Sequence, residues 1–161
     1  MAYIKRVKHY SVVRGVTRSE NELTVANGNN FAANGANAVS HFFNTDTLDG
    51  KMALYNAMQT ADKVDEHLNE PLHVTNVLAQ AIEVANQETG EINSSTRVVI
   101  HAEEGDFAAA SPTLAHAFGN LFAIFGTPDT WNHPLVLKVV EKKSRRGFKF
   151  FDLLGEMSGT V

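Results

Sequence analysis

The sequence predicts a mainly β domain with one helix, the helix lying between the third and fourth of five strands and an extension preceding them. Three observations predict it. Extended-type runs bounded by turn residues recur at 51–58, 72–84, 94–103, 135–140 and 148–153. One stretch, 111–126, instead carries apolar residues at spacings of three and four. Ahead of these, Asn27 to Asn37 is too dense in asparagine and glycine for helix or strand, and reads as a loop.

Each element has its own signal. Residues 1–18 hold Tyr3, Val7, Tyr10, Val12 and Val13 without a clean period and suit a short strand or arm; Leu23-Thr24-Val25 suits a brief strand. Leu48-Asp49-Gly50 reads as the turn that opens the core. From Lys51 to Met58, Met52, Leu54 and Met58 fall on one side and Lys51 and Tyr55 on the other, the pattern of a half-buried strand. Asp62 to Asn69 suits a helical turn, and Pro71 precedes the run Leu72 to Val84. Gln87-Glu88-Thr89-Gly90 reads as a hairpin turn. The returning strand, Ser94 to Glu103, points Thr96, Val98, Ile100 and Ala102 one way and Ser95, Arg97, Val99 and His101 the other.

Ser111-Pro112 opens the helix with a capping hydroxyl and a proline at the first helical position. Leu114, Ala117, Phe118, Leu121, Phe122 and Phe125 form its stripe, and Gly126 and Pro128 stop it. Leu135 to Val140 and Phe148 to Leu153 are the last strands, joined by the basic turn Lys142 to Gly147. Three strands, one helix, two strands is the order of an OB-like barrel. The domain organisation is therefore an extension over 1–44, an OB-like domain over 45–155 and a weak, mobile tail over 156–161.

Composition bounds the function. The 161 residues are 43% hydrophobic and 20% charged, enough for one cored domain. No cysteine is present, which removes disulfides, thiolate metal sites and cysteine nucleophiles together. No apolar run approaches the roughly 20 residues needed to span a bilayer, and the basic N-terminus lacks an apolar signal core. A protein kept in the cytoplasm, with no membrane partner, is expected. The net charge of −4 conceals segregation. Lys5, Arg6, Lys8, Arg14 and Arg18 precede the first acid, and Lys138, Lys142, Lys143, Arg145, Arg146 and Lys149 crowd the C-terminal part. The middle has only Lys51, Lys63 and Arg97 as bases. Phosphate binding depends on such local fields rather than on net charge.

Enzyme motifs are missing. The sequence has no Gly-x-Gly-x-x-Gly, no phosphate-binding loop ending in Gly-Lys-Ser/Thr and no Gly-x-Ser-x-Gly elbow. The seven histidines are scattered, with no pair four apart. Glu103, Glu104 and Asp106 offer a carboxylate cluster, but Glu103 and Glu104 as strand neighbours point to opposite faces. No cofactor and no catalysis are expected.

What remains is a pattern suited to single-stranded nucleic acid, which needs cations along the phosphates and flat rings under the unpaired bases. Lys142, Lys143, Arg145, Arg146, Phe148, Lys149 and Phe150 interleave the two. In a strand Phe148 and Phe150 share one face, Lys149 and Phe151 the other; alternation leaves open which is core. Lys51 with Tyr55 and Arg97 with His101 add candidates on outward strand faces. Trp131 suits either base stacking or plugging the barrel end. Phe42-Phe43 suits either base binding or docking onto the barrel or another subunit, docking being the expectation, and Tyr10 among Lys8, His9 and Arg14 repeats the cation-and-ring pattern.

Residues from about Thr45 to Leu153 resemble the small single-stranded DNA-binding proteins of protein-primed tailed bacteriophages. Thr47-Leu48-Asp49-Gly50 followed by Leu54-Tyr55-Asn56-Ala57 is similar to that family's first core strand. Leu72 to Ala81, Arg97-Val98-Val99-Ile100-His101-Ala102 and the phenylalanine-containing last strand follow in the same order. The resemblance implies sequence-independent coating of displaced strands during replication, no enzymatic activity, and a stacking tyrosine at Tyr55. Single-stranded DNA is the expected partner; a homo-oligomer and contacts with replication proteins are compatible. The C-terminus lacks the acidic tail through which cellular single-strand binders recruit partners. A structural protein assembling through its N-terminal arm is the alternative.

Overall fold

A computed structural model describes residues 2–4, 11–13, 22–25 and 39–157. The N-terminal cations Lys5, Arg6, Lys8, Arg14 and Arg18, Tyr10, the loop expected at 27–37 and the last four tail residues lie outside them.

The organising element is one long strand, β6 (Leu72–Asn86). Its bulge between Val74 and Asn76 bends it. One edge pairs antiparallel with β7 (Ile92–Ala102) from Val74↔Ala102 to Ala85↔Ile92. The other edge takes three partners in turn. At 72–74 it meets β9 (Leu135–Lys143), at 78–80 β4 (Val39–His41), and at 84–86 β1 (Ala2–Ile4). Beyond β7 lie β8 (Gly105–Ala110) and then the two-residue β5 (Asp62–Lys63); beyond β9 lies β10 (Lys149–Gly155). Strands β2 (Ser11–Val13) and β3 (Glu22–Val25) extend the sheet past β4 in parallel. The result is one mixed sheet curled into a half-barrel.

Two cores occupy its two faces. Inside, Val77, Ala79, Val98 and Ile100 pack with Leu114, Phe118 and Phe122 of α2 (Pro112–Phe125). Outside, the alternate residues Leu78 and Val99 pack with Leu54 and Ala57 of α1 (Leu48–Thr60). Phe42 joins the inner core and Phe43 the outer, so the docking expected of that pair is seen, one ring on each side of the sheet.

Two expectations are corrected. The described residues form ten strands and two helices, not five strands and one helix. Residues 51–58 are the body of α1, not a strand. The alternation Met52, Leu54, Met58 skips Asn56, whereas Leu54, Ala57, Met58 and Ala61 keep helical spacing and all pack on the outer core. No β-branched residue occurs from Leu48 to Gln59. Thr47 caps the helix by accepting from the Gly50 N–H at 3.0 Å. The second missed element is β8. Its Ala108-Ala109-Ala110 run has little strand propensity; pairing with β7, with Phe107 opposite Ile100, imposes the strand. Glu103 and Glu104 form the tight turn into it rather than ending β7.

The helix expected at 111–126 is present. Ser111 Oγ accepts from the Leu114 N–H at 3.1 Å, and Gly126, at φ 77°, ends it. From β6 onward the order is three strands, α2, two strands. The barrel-like plan is thus retained, with its first strand shifted from 51–58 to β6.

Candidate nucleic-acid interface

The hairpin of β9 and β10 holds most of the predicted site. Its seven paired positions run from Leu137↔Gly155 to Lys143↔Lys149. At its base, Leu137 and Val139 are buried, and Phe151 and Leu153 pack beside them. That fixes the alternation in β10: Phe151 faces the core side and Phe150 the other, while Phe148 lies in the turn just before the strand. At its tip, Gly147 adopts φ 84°, the Ser144 N–H donates to Phe148 O at 2.8 Å, and the Gly147 N–H returns to Ser144 O at 2.9 Å. Glycine supplies the left-handed conformation that a tight hairpin turn needs.

The tip is cationic and uncovered. Lys142, Lys143, Arg145, Arg146 and Lys149 are all exposed. Lys142 Nζ lies 2.6 Å from Asp152 Oδ2, and Lys149 Nζ 3.8 Å from Glu141 Oε1. The hydrogen bond from Lys142 holds the Asp152 carboxyl below the usual carboxylate range, against partial burial. Lys143, Arg145 and Arg146 make no ion pair among the described residues, so their charge is open to an outside anion. Phe148 stands among them with 69% of its surface exposed. An aromatic ring in water beside three free cations is the informative exception to apolar burial.

The other predicted residues are placed elsewhere. Lys51 and Tyr55 lie one turn apart on the solvent side of α1, not on a sheet surface; Tyr55 is 59% exposed. Arg97 is half-buried beneath the end of that helix. Its Nη1 donates to Met58 O at 3.1 Å and to Gln80 Oε1 at 3.2 Å, and burial lowers its pKa. His101 is paired through Nδ1 with Asp106 Oδ1 at 2.5 Å, and its ring lies tilted against Phe43 at 5.1 Å. Trp131 donates its indole N–H to Gly126 O at 2.9 Å and packs beside Phe122, as a plug would. The structure therefore gathers Lys142, Lys143, Arg145, Arg146, Phe148, Lys149 and Phe150, and separates Lys51, Tyr55, Arg97, His101 and Trp131 from them.

Sequence reading missed the surface beside the hairpin. The Thr113 hydroxyl donates to Phe151 O at 3.1 Å and ties the start of α2 to β10. Two shallow depressions meet there, with Pro112, Thr113, Phe150 and Phe151 as common walls. One reaches Lys149 and Glu141, the other His116, Asn120 and Asp152. Helical spacing of 113, 116 and 120 was the available signal, overshadowed by the apolar stripe opposite.

Two of the three candidate carboxylates, Glu104 and Asp106, are each engaged by a different histidine. Glu104 binds the His73 ring at 2.6 Å and its backbone N–H at 2.8 Å, and Asp106 binds His101. Among the described residues, no three histidine or acidic side chains are placed to hold a metal ion. No helix among them is long and apolar enough to cross a membrane.

A curled sheet with a helix packed on its inner face and a projecting cationic hairpin defines a class of open β architecture. Within that class the match is specific. The model of the phage single-stranded DNA-binding protein family of the phi29 type matches residues 33–154, and the chain belongs to that family. No curated protein and no solved structure matches it. The match spans β4 and both core phenylalanines as well as the barrel-like unit. Family membership makes this a phage single-stranded DNA-binding protein, of a family whose activity is binding rather than catalysis.

Proposed function

We propose that the protein coats single-stranded DNA without regard to sequence during phage replication, protecting displaced strands, and that the β9–β10 hairpin is its main contact. The observation that carries this is the tip: Lys143, Arg145 and Arg146 uncommitted, and Phe148 exposed among them. Cations on a turn track phosphates of any sequence, and a ring stacks on any base. Lys142, Lys149 and Phe150 complete the contact, while Lys51 and Tyr55 on α1 supply a second cation-and-ring pair. Arg97, His101 and Trp131 act through the fold in this reading, because Arg97 Nη1, His101 Nδ1 and Trp131 Nε1 are each hydrogen-bonded to protein groups. The host cytoplasm is the site of action that this role implies.

A titration of fluorescent oligo-dT, with duplex DNA as competitor, tests the reading. Tight binding that duplex displaces poorly is expected. Equal affinity for duplex, or no binding at low salt, contradicts it.

A further inference from the structure

The cations of the β9–β10 hairpin fall into two sets. At the tip, Lys143, Arg145 and Arg146 make no ion pair among the described residues. Down the stem, each lysine has a carboxylate: Lys138 with Glu156 at 3.7 Å, Lys142 with Asp152 at 2.6 Å and Lys149 with Glu141 at 3.8 Å. Of the three, only the Asp152 pair is a hydrogen bond. Exposed pairs near 4 Å yield readily to water and salt, whereas a short charge-assisted bond is the stronger kind.

Asp152 is also fixed by the backbone. At the two ends of β10, the Ser144 N–H donates to Phe148 O and the Glu156 N–H to Val136 O, both across the hairpin. Even-numbered residues of β10 therefore bond to β9, and odd-numbered ones turn their N–H groups to the free edge. Asp152 Oδ1 accepts one of these, the Leu153 N–H, at 2.8 Å, and Oδ2 is left for Lys142. The bond from Lys142 keeps the carboxyl below its ordinary range, so Asp152 is charged at neutral pH. Lys142 lies directly across from Phe150 and diagonally from Asp152, all on one face of the hairpin. It is a cation beside a ring, as at the tip, but with a carboxylate already on it.

We propose that Asp152 is an internal competitor for DNA phosphate: it occupies Lys142 in the free protein, so a strand reaches this cation only by displacing the carboxylate. This rests on the single-strand-binding reading and adds to it a residue that limits affinity. A phosphate that takes Lys142 releases a cation from the DNA, but the freed Asp152 takes one up, so the exchange adds almost nothing to the salt slope. The tip arginines have no carboxylate to displace and give their full counterion release.

The test is a two-by-two set of variants on oligo-dT. Asp152→Asn keeps an oxygen for the Leu153 N–H and removes the charge from Lys142. Thermal melting checks the fold, and Asp152→Ser, which also keeps an oxygen, replaces it if the transition is lost. With Lys142 present, the change is expected to tighten binding about threefold at low salt. It is also expected to steepen the slope of log affinity against log salt by about 0.7, one added phosphate contact. In a Lys142→Ala background the same change is expected to leave the slope where it is. An unchanged slope on losing the Asp152 charge overturns the proposal. So does the same steepening without Lys142, which would show general repulsion of DNA by the carboxylate. In either case tight binding of wild type to oligo-dT leaves the single-strand reading standing, while no binding by wild type at low salt overturns both.

Discussion

At the scale of single residues, position decides what a side chain does. Gly50 shows this most sharply. Glycine-to-alanine changes in a helix usually stabilise. Here an added Cβ would stand 1.6 Å from the Asn44 carbonyl oxygen, far inside contact distance. Gly50→Ala should therefore destabilise by about 1–3 kcal/mol, as overpacking does, and a denaturant titration would read it; a gain in stability would contradict the close approach. Phe148 is the converse case, since nothing in the fold needs its ring. Phe148→Ala should leave the melting temperature in place and weaken oligo-dT binding about 5- to 150-fold, the range for one stacked base. A pH signature belongs to His73 and Glu104. The hydrogen bond to Glu104 raises the His73 pKa. For Glu104, burial acts upward, but the two hydrogen bonds from His73 outweigh it and hold the carboxyl low. The His73 contribution is fully present below its unfolded value of 6.5 and is lost as pH rises through the higher folded value. The Glu104 contribution is present above its unfolded value of 4.5 and is lost as pH falls through the lower folded one. The melting-temperature gap between wild type and Glu104→Gln should peak between those two values and shrink on either side; a gap independent of pH would contradict the pair.

At the scale of elements, the two helices differ in how plainly the sequence announces them. For α2, Ser111, Pro112 and Gly126 mark both ends and one stripe marks the buried face, so it was legible from local chemistry alone. For α1 the marks were ambiguous. Met52, Leu54 and Met58 satisfy a two-residue period nearly as well as Leu54, Ala57 and Met58 satisfy a helical one. The deciding contacts, Leu54 on Leu78 and Val99, are long-range. The β8 strand was hidden for the same reason, because three alanines become a strand only beside β7. Within the site, the cationic turn was legible because charge and ring sit in one short run. Arg97 was misleading: alternation put it correctly on the outer face, but could not reveal a helix end above it. Its guanidinium closes α1 onto the sheet, so Arg97→Ala should cost about 1.5–3 kcal/mol of stability, the worth of hydrogen bonds from a charged donor. The salt dependence of DNA binding should stay unchanged, whereas a flatter slope would show that Arg97 meets phosphate.

At the scale of the whole molecule, the long β6 strand ties the parts together. By pairing with β7 on one edge and with β9, β4 and β1 in succession on the other, it carries the barrel-like unit and the N-terminal strands in one sheet. The β9–β10 hairpin, rooted on the start of β6, then projects its cations from a rigid base. Net charge of −4 gives no hint of this, because most of the acids lie outside the hairpin, which carries only Glu141 and Asp152 against its six cations. The central claim is that this hairpin holds single-stranded DNA through its phosphates. The most direct measurement is the slope of log affinity against log salt for oligo-dT, in wild type and in Arg145→Ala with Arg146→Ala. Each phosphate contact on a single strand adds about 0.7 to the slope. The account predicts a slope shallower by about 1.4 in the variant, with weaker binding at low salt. An unchanged slope and affinity would place the phosphates somewhere other than the hairpin.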